Sequence, residues 1–213
     1  MYSFSLLGAK LRKKNETAKF LQPFVRVYEN IFVPLPLTMN QLTRLSVWLS
    51  RLNHCRGFGI QSPTDYWMVR YVINEHWPYY QYSELGRGDN WLRQKLGRLY
   101  FRLANWRQPS VIVSSDYGDY WQAGCQRATV TRQLPGTIAL LHTGIGEADR
   151  LRGYLHGHVD DRSVVVVEGL WHDRKAWRRL TADDRVRITF DLYYCGILLF
   201  DHKRTKQDYV INF

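Results

Sequence analysis

The chain has 213 residues, 45% apolar and 23% charged, the balance of a folded globular domain rather than a disordered or fibrous chain. Lys and Arg number 30 against 19 Asp and Glu, and the net charge of +11 makes contact with phosphate groups an option without specifying a fold. Cys55, Cys125 and Cys195 stand apart with no CxxC pair, which excludes a zinc knuckle or a disulfide framework, and no apolar run approaches the ~20 residues that span a bilayer.

Residues 1–38 mix a basic run (Lys10, Arg12, Lys13, Lys14) with aromatic residues and close on Pro34 and Pro36, which block a regular helix or central strand. This stretch reads as an N-terminal extension, poorly packed or not native to the protein. Its first residues lack the charged start and long apolar core of a secretory signal, so a cytoplasmic protein with reduced thiols is expected. Met39 opens an amphipathic helix with Leu42, Leu45, Leu49 and Leu52 on one stripe. A second helix starts at Ser62-Pro63-Thr64-Asp65, where Ser62 is the N-cap and Pro63 fits the first turn; it is expected to run to about Trp77, before Pro78. A third, from near Asp89 to before Pro109, carries Leu92, Leu96, Leu99 and Leu103 on one face and Lys95, Arg98 and Arg102 on another. Residues 39–108 are therefore predicted to form a helical cap region.

From residue 109 to 213 the pattern changes to short apolar runs alternating with helical stretches, the signature of an α/β domain. Strands are predicted at Ser110–Ser114, Thr137–His142 and Ser163–Glu168, the last apolar almost throughout, as a strand covered on both faces is. Helices are expected at Gly146–His156 and Asp173–Leu180. Arg185–Asp191, Gly196–Phe200 and Asp208–Phe213 follow in close succession and suggest an antiparallel edge on a mainly parallel sheet.

Three stretches of this chain resemble a bacterial family of class I S-adenosylmethionine (SAM) dependent methyltransferases. They are Gly59-Ile60-Gln61-Ser62-Pro63 with Pro78-Tyr79-Tyr80-Gln81-Tyr82, then Leu99 to Pro109, and most specifically Val165 to Phe213 with its closing Tyr209-Val210-Ile211-Asn212-Phe213. The resemblance implies a Rossmann-like, mainly parallel seven-strand sheet with a reversed final hairpin. It also implies SAM at the carboxyl ends of the first strands, where Ser114, Ser115, Asp116, Gly118 and Glu168 would surround it, and no metal. The chain departs from the family in several places. Val113 stands where the family has an acid and Ser115 where it has glycine, and Tyr117 and Tyr120 flank the loop, in which Gly118 is the one glycine kept. The 45 residues from Asp119 to Ser163 leave room for one full crossover, so a shortened sheet is expected, without the second strand and its ribose-binding acid. Glu168 is all that remains of a pair of acids.

Two functional readings follow. In the first, the protein transfers a methyl group from SAM by positioning donor and acceptor; no residue is assigned a catalytic role. In the second it is a non-catalytic binding protein on the same scaffold, contacting nucleic acid through the basic faces of Lys95, Arg98 and Arg102 and of Arg174, Lys175, Arg178 and Arg179. Against both stand plainer roles: Ser114, Ser115, Asp116 and Gly118 as an ordinary turn, Glu168 as a cap or ion-pair partner, the basic residues as solvated faces, and Trp91, Trp106 and Trp177 as core. His156, His158 and His172 lack further ligands at metal spacing, whereas His142 follows a strand and is the better pocket residue.

Overall fold

The computed structural model describes residues 39–55 and 57–213, and the predicted extension at residues 1–38 lies outside them. Residues Arg44–Phe213 form one compact body. Helix α1 (Met39–Ser50) and a short 3-10 turn precede α2 (Pro63–Met68). At α2 the side chain of Ser62 accepts from the amide of Asp65 and proline occupies the first turn, as the sequence implies. The expected run to Trp77 is cut short. The chain widens into a π-type turn at Val69–Ile73, a run rich in β-branched residues, and the helix is over by Asn74. The carbonyls this leaves free are taken by Arg102, whose Nε donates to Val72 O at 2.6 Å and Nη2 to Ile73 O at 2.9 Å. Arg102 is buried, which corrects its reading as part of a solvated face.

Helix α3 (Trp91–Arg107) starts with Asn90, whose side chain caps the Arg93 amide, and ends at Gln108 in the left-handed region. Its apolar stripe is realised: Leu96, Leu99 and Leu103 are fully buried, each contributing about 1.5–3 kcal/mol. Helix α4 (Gly118–Gly124) packs closely on α3 because of two glycines. A Cβ on Gly124 would lie 2.2 Å from Phe101 O, and one on Gly97 would strike the Tyr120 ring at 2.5 Å. Helices α5 (Ala148–Tyr154) and α6 (Arg174–Thr181) complete the set; Asp173 caps α6 through the amides of Lys175 and Ala176.

The seven strands among the described residues are β1 (Val111–Val113), β2 (Thr129–Thr131), β3 (Leu140–Gly144), β4 (Val164–Glu168), β5 (Ile188–Asp191), β6 (Cys195–Leu199) and β7 (Gln207–Val210). They form one sheet in the order β2-β1-β3-β4-β6-β5-β7. All pairs are parallel except those of β6, which is reversed between β4 and β5. The fold is thus α/β with a mainly parallel sheet and an antiparallel C-terminal hairpin, β5–β6. Alternate residues feed two cores. Ile112, Val164, Val166 and Phe190 pack with α3 and α4, whereas Val113, Val165, Val167 and Leu198 pack with α5 and α6, where Trp177 is buried. Trp106 is partly buried against the first core and Trp91 is largely exposed.

The expectation of a single crossover and no second strand is corrected. β1, α4 and β2 are compressed into residues 111–131, and β2 lies in parallel register beside β1. Three-residue strands and a two-turn helix make this possible. β3 then returns to the other side of β1, which puts the topological switch point between the carboxyl ends of β1 and β3.

Candidate functional site

Three polar side chains meet where β1, β3 and β4 approach that switch point. Ser114 follows β1, His142 belongs to β3 and Glu168 ends β4. His142 Nδ1 lies 2.9 Å from Ser114 Oγ and its Nε2 lies 3.1 Å from Glu168 Oε2. Ser, His and Glu in a line invite comparison with a nucleophilic triad, but the hydroxyl is fully committed. Ser114 donates its proton to Asp116 O at 2.6 Å and accepts from Trp121 Nε1 at 3.1 Å. With that proton spent, the oxygen also accepts from the Asp116 amide at 3.3 Å, and His142 Nδ1 crowds the same atom. No proton or lone pair of Ser114 is left for a substrate.

The carboxylate end is equally occupied. Tyr100 OH donates to Glu168 Oε2 at 2.9 Å and Tyr117 OH to Oε1 at 3.2 Å. The contact between His142 Nε2 and Glu168 Oε2 closes the line from β1 to β4. The rings enclose these groups: Tyr100 stacks on Trp121 with centroids 4.8 Å apart, and Tyr117 meets Tyr100 edge-on at 4.8 Å. Burial, then the nearby Cys195 and Glu168, push the Tyr100 hydroxyl well above its ordinary value, so it stays a donor.

The loop between β1 and α4 is built the same way. Tyr117 has φ of 58°, a left-handed conformation in which glycine is the low-strain residue. Its backbone amide donates to Asp116 Oδ1 and its ring is buried over the strand ends. Asp116 takes a two-pronged pair from Arg93, both bonds 2.8 Å, and the Arg93 guanidinium also lies 4.4 Å from the Tyr117 ring centroid. The Arg93 hydrogen bonds hold the Asp116 carboxyl below its usual range against the effect of partial burial.

The five residues singled out for a cofactor therefore do not converge on one opening. Ser114 and Glu168 belong to the internal network, Asp116 faces Arg93, and Gly118 is exposed at the start of α4 with open space beside its Cα. Ser114 and Ser115 also line a cavity of about 310 Å³ at the switch point, with Arg132, Thr143, Arg150 and Tyr154. That is the lower end of the range for small-molecule sites.

Sequence reading named Glu168 and His142 separately and weighed Tyr117, Tyr120 and Trp121 as side chains that could fill the crevice, but missed Tyr100, whose hydroxyl bonds Glu168. The Tyr100 position on the inner stripe of α3, one residue after Leu99, is the available signal. The histidines at 156 and 172 are exposed, and His158 stacks on Tyr154. A different group, Asp161, Asp201 and His202, brings three potential ligand atoms within 4.8 Å of one another on the surface. It joins residues 40 apart in sequence and had no local motif; His202 and Asp161 already bond each other.

Fold and site together define a three-layer α/β protein with a mixed sheet and a polar network across its strand ends. No family model, curated protein or solved structure matches the chain. Among the described residues, no helix is long and apolar enough to cross a membrane.

Proposed function

We propose that the protein is a non-catalytic binding protein on a class I methyltransferase type of scaffold, with its cofactor crevice taken over by its own side chains. The observation that carries this reading is the closed network of Ser114, His142, Glu168, Tyr100, Tyr117 and Trp121 across the ends of β1, β3 and β4. The sheet order supports the ancestry, since β3 returns beside β1 and a reversed β6 is inserted between β4 and β5.

SAM does not suit the residues present. Its ribose hydroxyls are ordinarily held by an acid at the end of the second strand, and here β2 ends at Thr131 followed by Arg132. The loop that must let a cofactor close on the backbone instead carries the Tyr117 ring.

Calorimetric titration with SAM and with S-adenosylhomocysteine tests the proposal. No saturable heat is expected from the folded protein at millimolar ligand. Saturable binding that is lost on Thr143→Trp, which fills the 310 Å³ cavity, would overturn it.

A further inference from the structure

A second cavity lies away from the strand ends. A groove of about 1080 Å³ runs between the segment at residues 74–80 and the outer face of α3. Its rim is aromatic and open: Tyr80 is 98% exposed and Trp77 71%, with Trp91 on the α3 side at 42%. Among the described residues neither Trp77 nor Tyr80 stacks on another ring, so their faces are free.

The floor is cationic. Lys95 Nζ lies 4.3 Å from the Phe213 ring centroid and 5.2 Å from that of Trp91, and Arg98 is exposed beside the Tyr82 ring at 5.1 Å. Among the described residues no carboxylate pairs with Lys95 or Arg98. Glu75 is the one acid lining the groove, and it is engaged by Tyr79 OH at 2.8 Å. Burial and the nearby Arg102 bring the Lys95 ammonium down to about 8, the behaviour of a cation short of an anionic partner.

An occupant has to satisfy both halves. An acidic peptide would pair with the cations and leave the open rings bare. Residues 1–38 carry six Lys and Arg against two Glu and match the groove's own sign. A duplex would offer phosphates but keep its base faces stacked inside. Unpaired nucleotides offer both a phosphate chain for Lys95 and Arg98 and base faces for Trp77 and Tyr80.

We propose that this groove is a docking site for single-stranded nucleic acid, read through backbone charge and base stacking rather than base identity. The proposal rests on the reading of the chain as a binding scaffold and gives it a partner class and a place.

The test is fluorescence anisotropy of labelled 15-nucleotide oligo-dT and oligo-U with the full chain, across a salt series and beside a duplex of equal length. Saturable binding in the micromolar range at low salt is expected, with single strands ahead of duplex. Trp77→Ala and Tyr80→Ala, surface changes that leave the core alone, should each weaken it about five-fold or more. Arg98→Gln should lower the slope of log affinity against log salt by about 0.7, while Arg178→Gln on α6 should change nothing. Circular dichroism confirms that each variant is folded. Absent saturable binding, equal affinity for duplex, unaltered binding by both aromatic variants, equal weakening by Arg178→Gln, or displacement by polyglutamate as readily as by oligonucleotide would each overturn the site. Calorimetry with SAM on the same preparation addresses the cofactor reading separately, so either reading can fail without the other.

Discussion

Replacing Glu168 by alanine distinguishes a structural carboxylate from one kept for a ligand. Its two oxygens are the partners of Tyr100 OH, Tyr117 OH and His142 Nε2, at 2.9, 3.2 and 3.1 Å. Tyr100 is fully buried and the His142 side chain is 6% exposed, so after truncation they lose their partner in a site with little water. An orphaned buried polar group costs about 1–3 kcal/mol. The Glu168 side chain is itself 26% exposed, so water will enter part of the vacated space, and the sum for the three groups is about 2–4 kcal/mol. In urea, with a slope of about 2 kcal/mol/M, that is a midpoint lower by about 1–2 M. Glu168→Gln keeps the shape and should lose about 1 kcal/mol, because an amide cannot accept at both ends. A cycle with Tyr117→Phe should give a coupling of about 0.5–3 kcal/mol. Functional carboxylates held for a substrate tend instead to stabilise the fold when removed. A midpoint for Glu168→Ala within 0.3 M of the parent, or above it, at unchanged slope would refute the structural assignment.

Other consequences are open to measurement. Gly124→Ala forces a Cβ against the Phe101 carbonyl at 2.2 Å and should cost about 1–3 kcal/mol, whereas Gly118→Ala meets open space and should be nearly neutral by thermal melting. For Asp191, burial works to raise the carboxyl but Arg174 and Arg51 prevail and hold it below its usual range. Its contribution is therefore present above about pH 4 and lost as pH falls further. Acid unfolding curves should show Asp191→Asn less stable at pH 7 by about 3 kcal/mol and flatter below pH 4. Because Lys95 titrates at about 8, oligonucleotide affinity should fall between pH 7 and 9 and lose that dependence in Lys95→Met. Arg102, Cys195, Glu75 and His76 share its surroundings, Cys195 being raised well above the usual thiol range by burial.

Much of the architecture was legible because local signals and tertiary packing agree. The cap at Ser62, the α3 leucine stripe, the four-valine run of β4 and the hairpin of β5 and β6 all appear where pattern reading put them. β2 escaped because Thr129–Thr131 is a three-residue, half-exposed edge strand with no apolar run, so the register beside β1 stabilises it rather than its own composition. Arg102 was misjudged because a helix periodicity shows which face a residue occupies, not whether carbonyls from elsewhere wait beyond it. The strand-end site was half legible. Ser114 and Glu168 stand at strand ends and His142 within β3, near the crevice as polar residues should be, but what they do depends on Tyr100 and Trp121, which arrive from two helices. Nothing in one-dimensional spacing distinguishes a carboxylate aimed at solvent from one aimed at two buried phenols.

Both ends of the described body are tied together. Arg51, at the end of α1, donates to Asp191 O at 2.8 Å and Ile211 O at 3.2 Å, and the Asn212 amide donates to His54 O at 2.9 Å. The first of these partners is separated from Arg51 by 140 residues and the second by 160. Closing a loop of that length carries an entropy cost of about 4.5 kcal/mol beyond its constant part, and it cannot begin until residues 211 and 212 have emerged from the ribosome. During synthesis the buried guanidinium of Arg51 and the outer edge of β5 therefore stay unpaired until residues 207–212 are available. Attachment of β7 is thus tied to long-range closure, and until it happens the outer edge of β5 is an unpaired strand of the kind that recruits other chains.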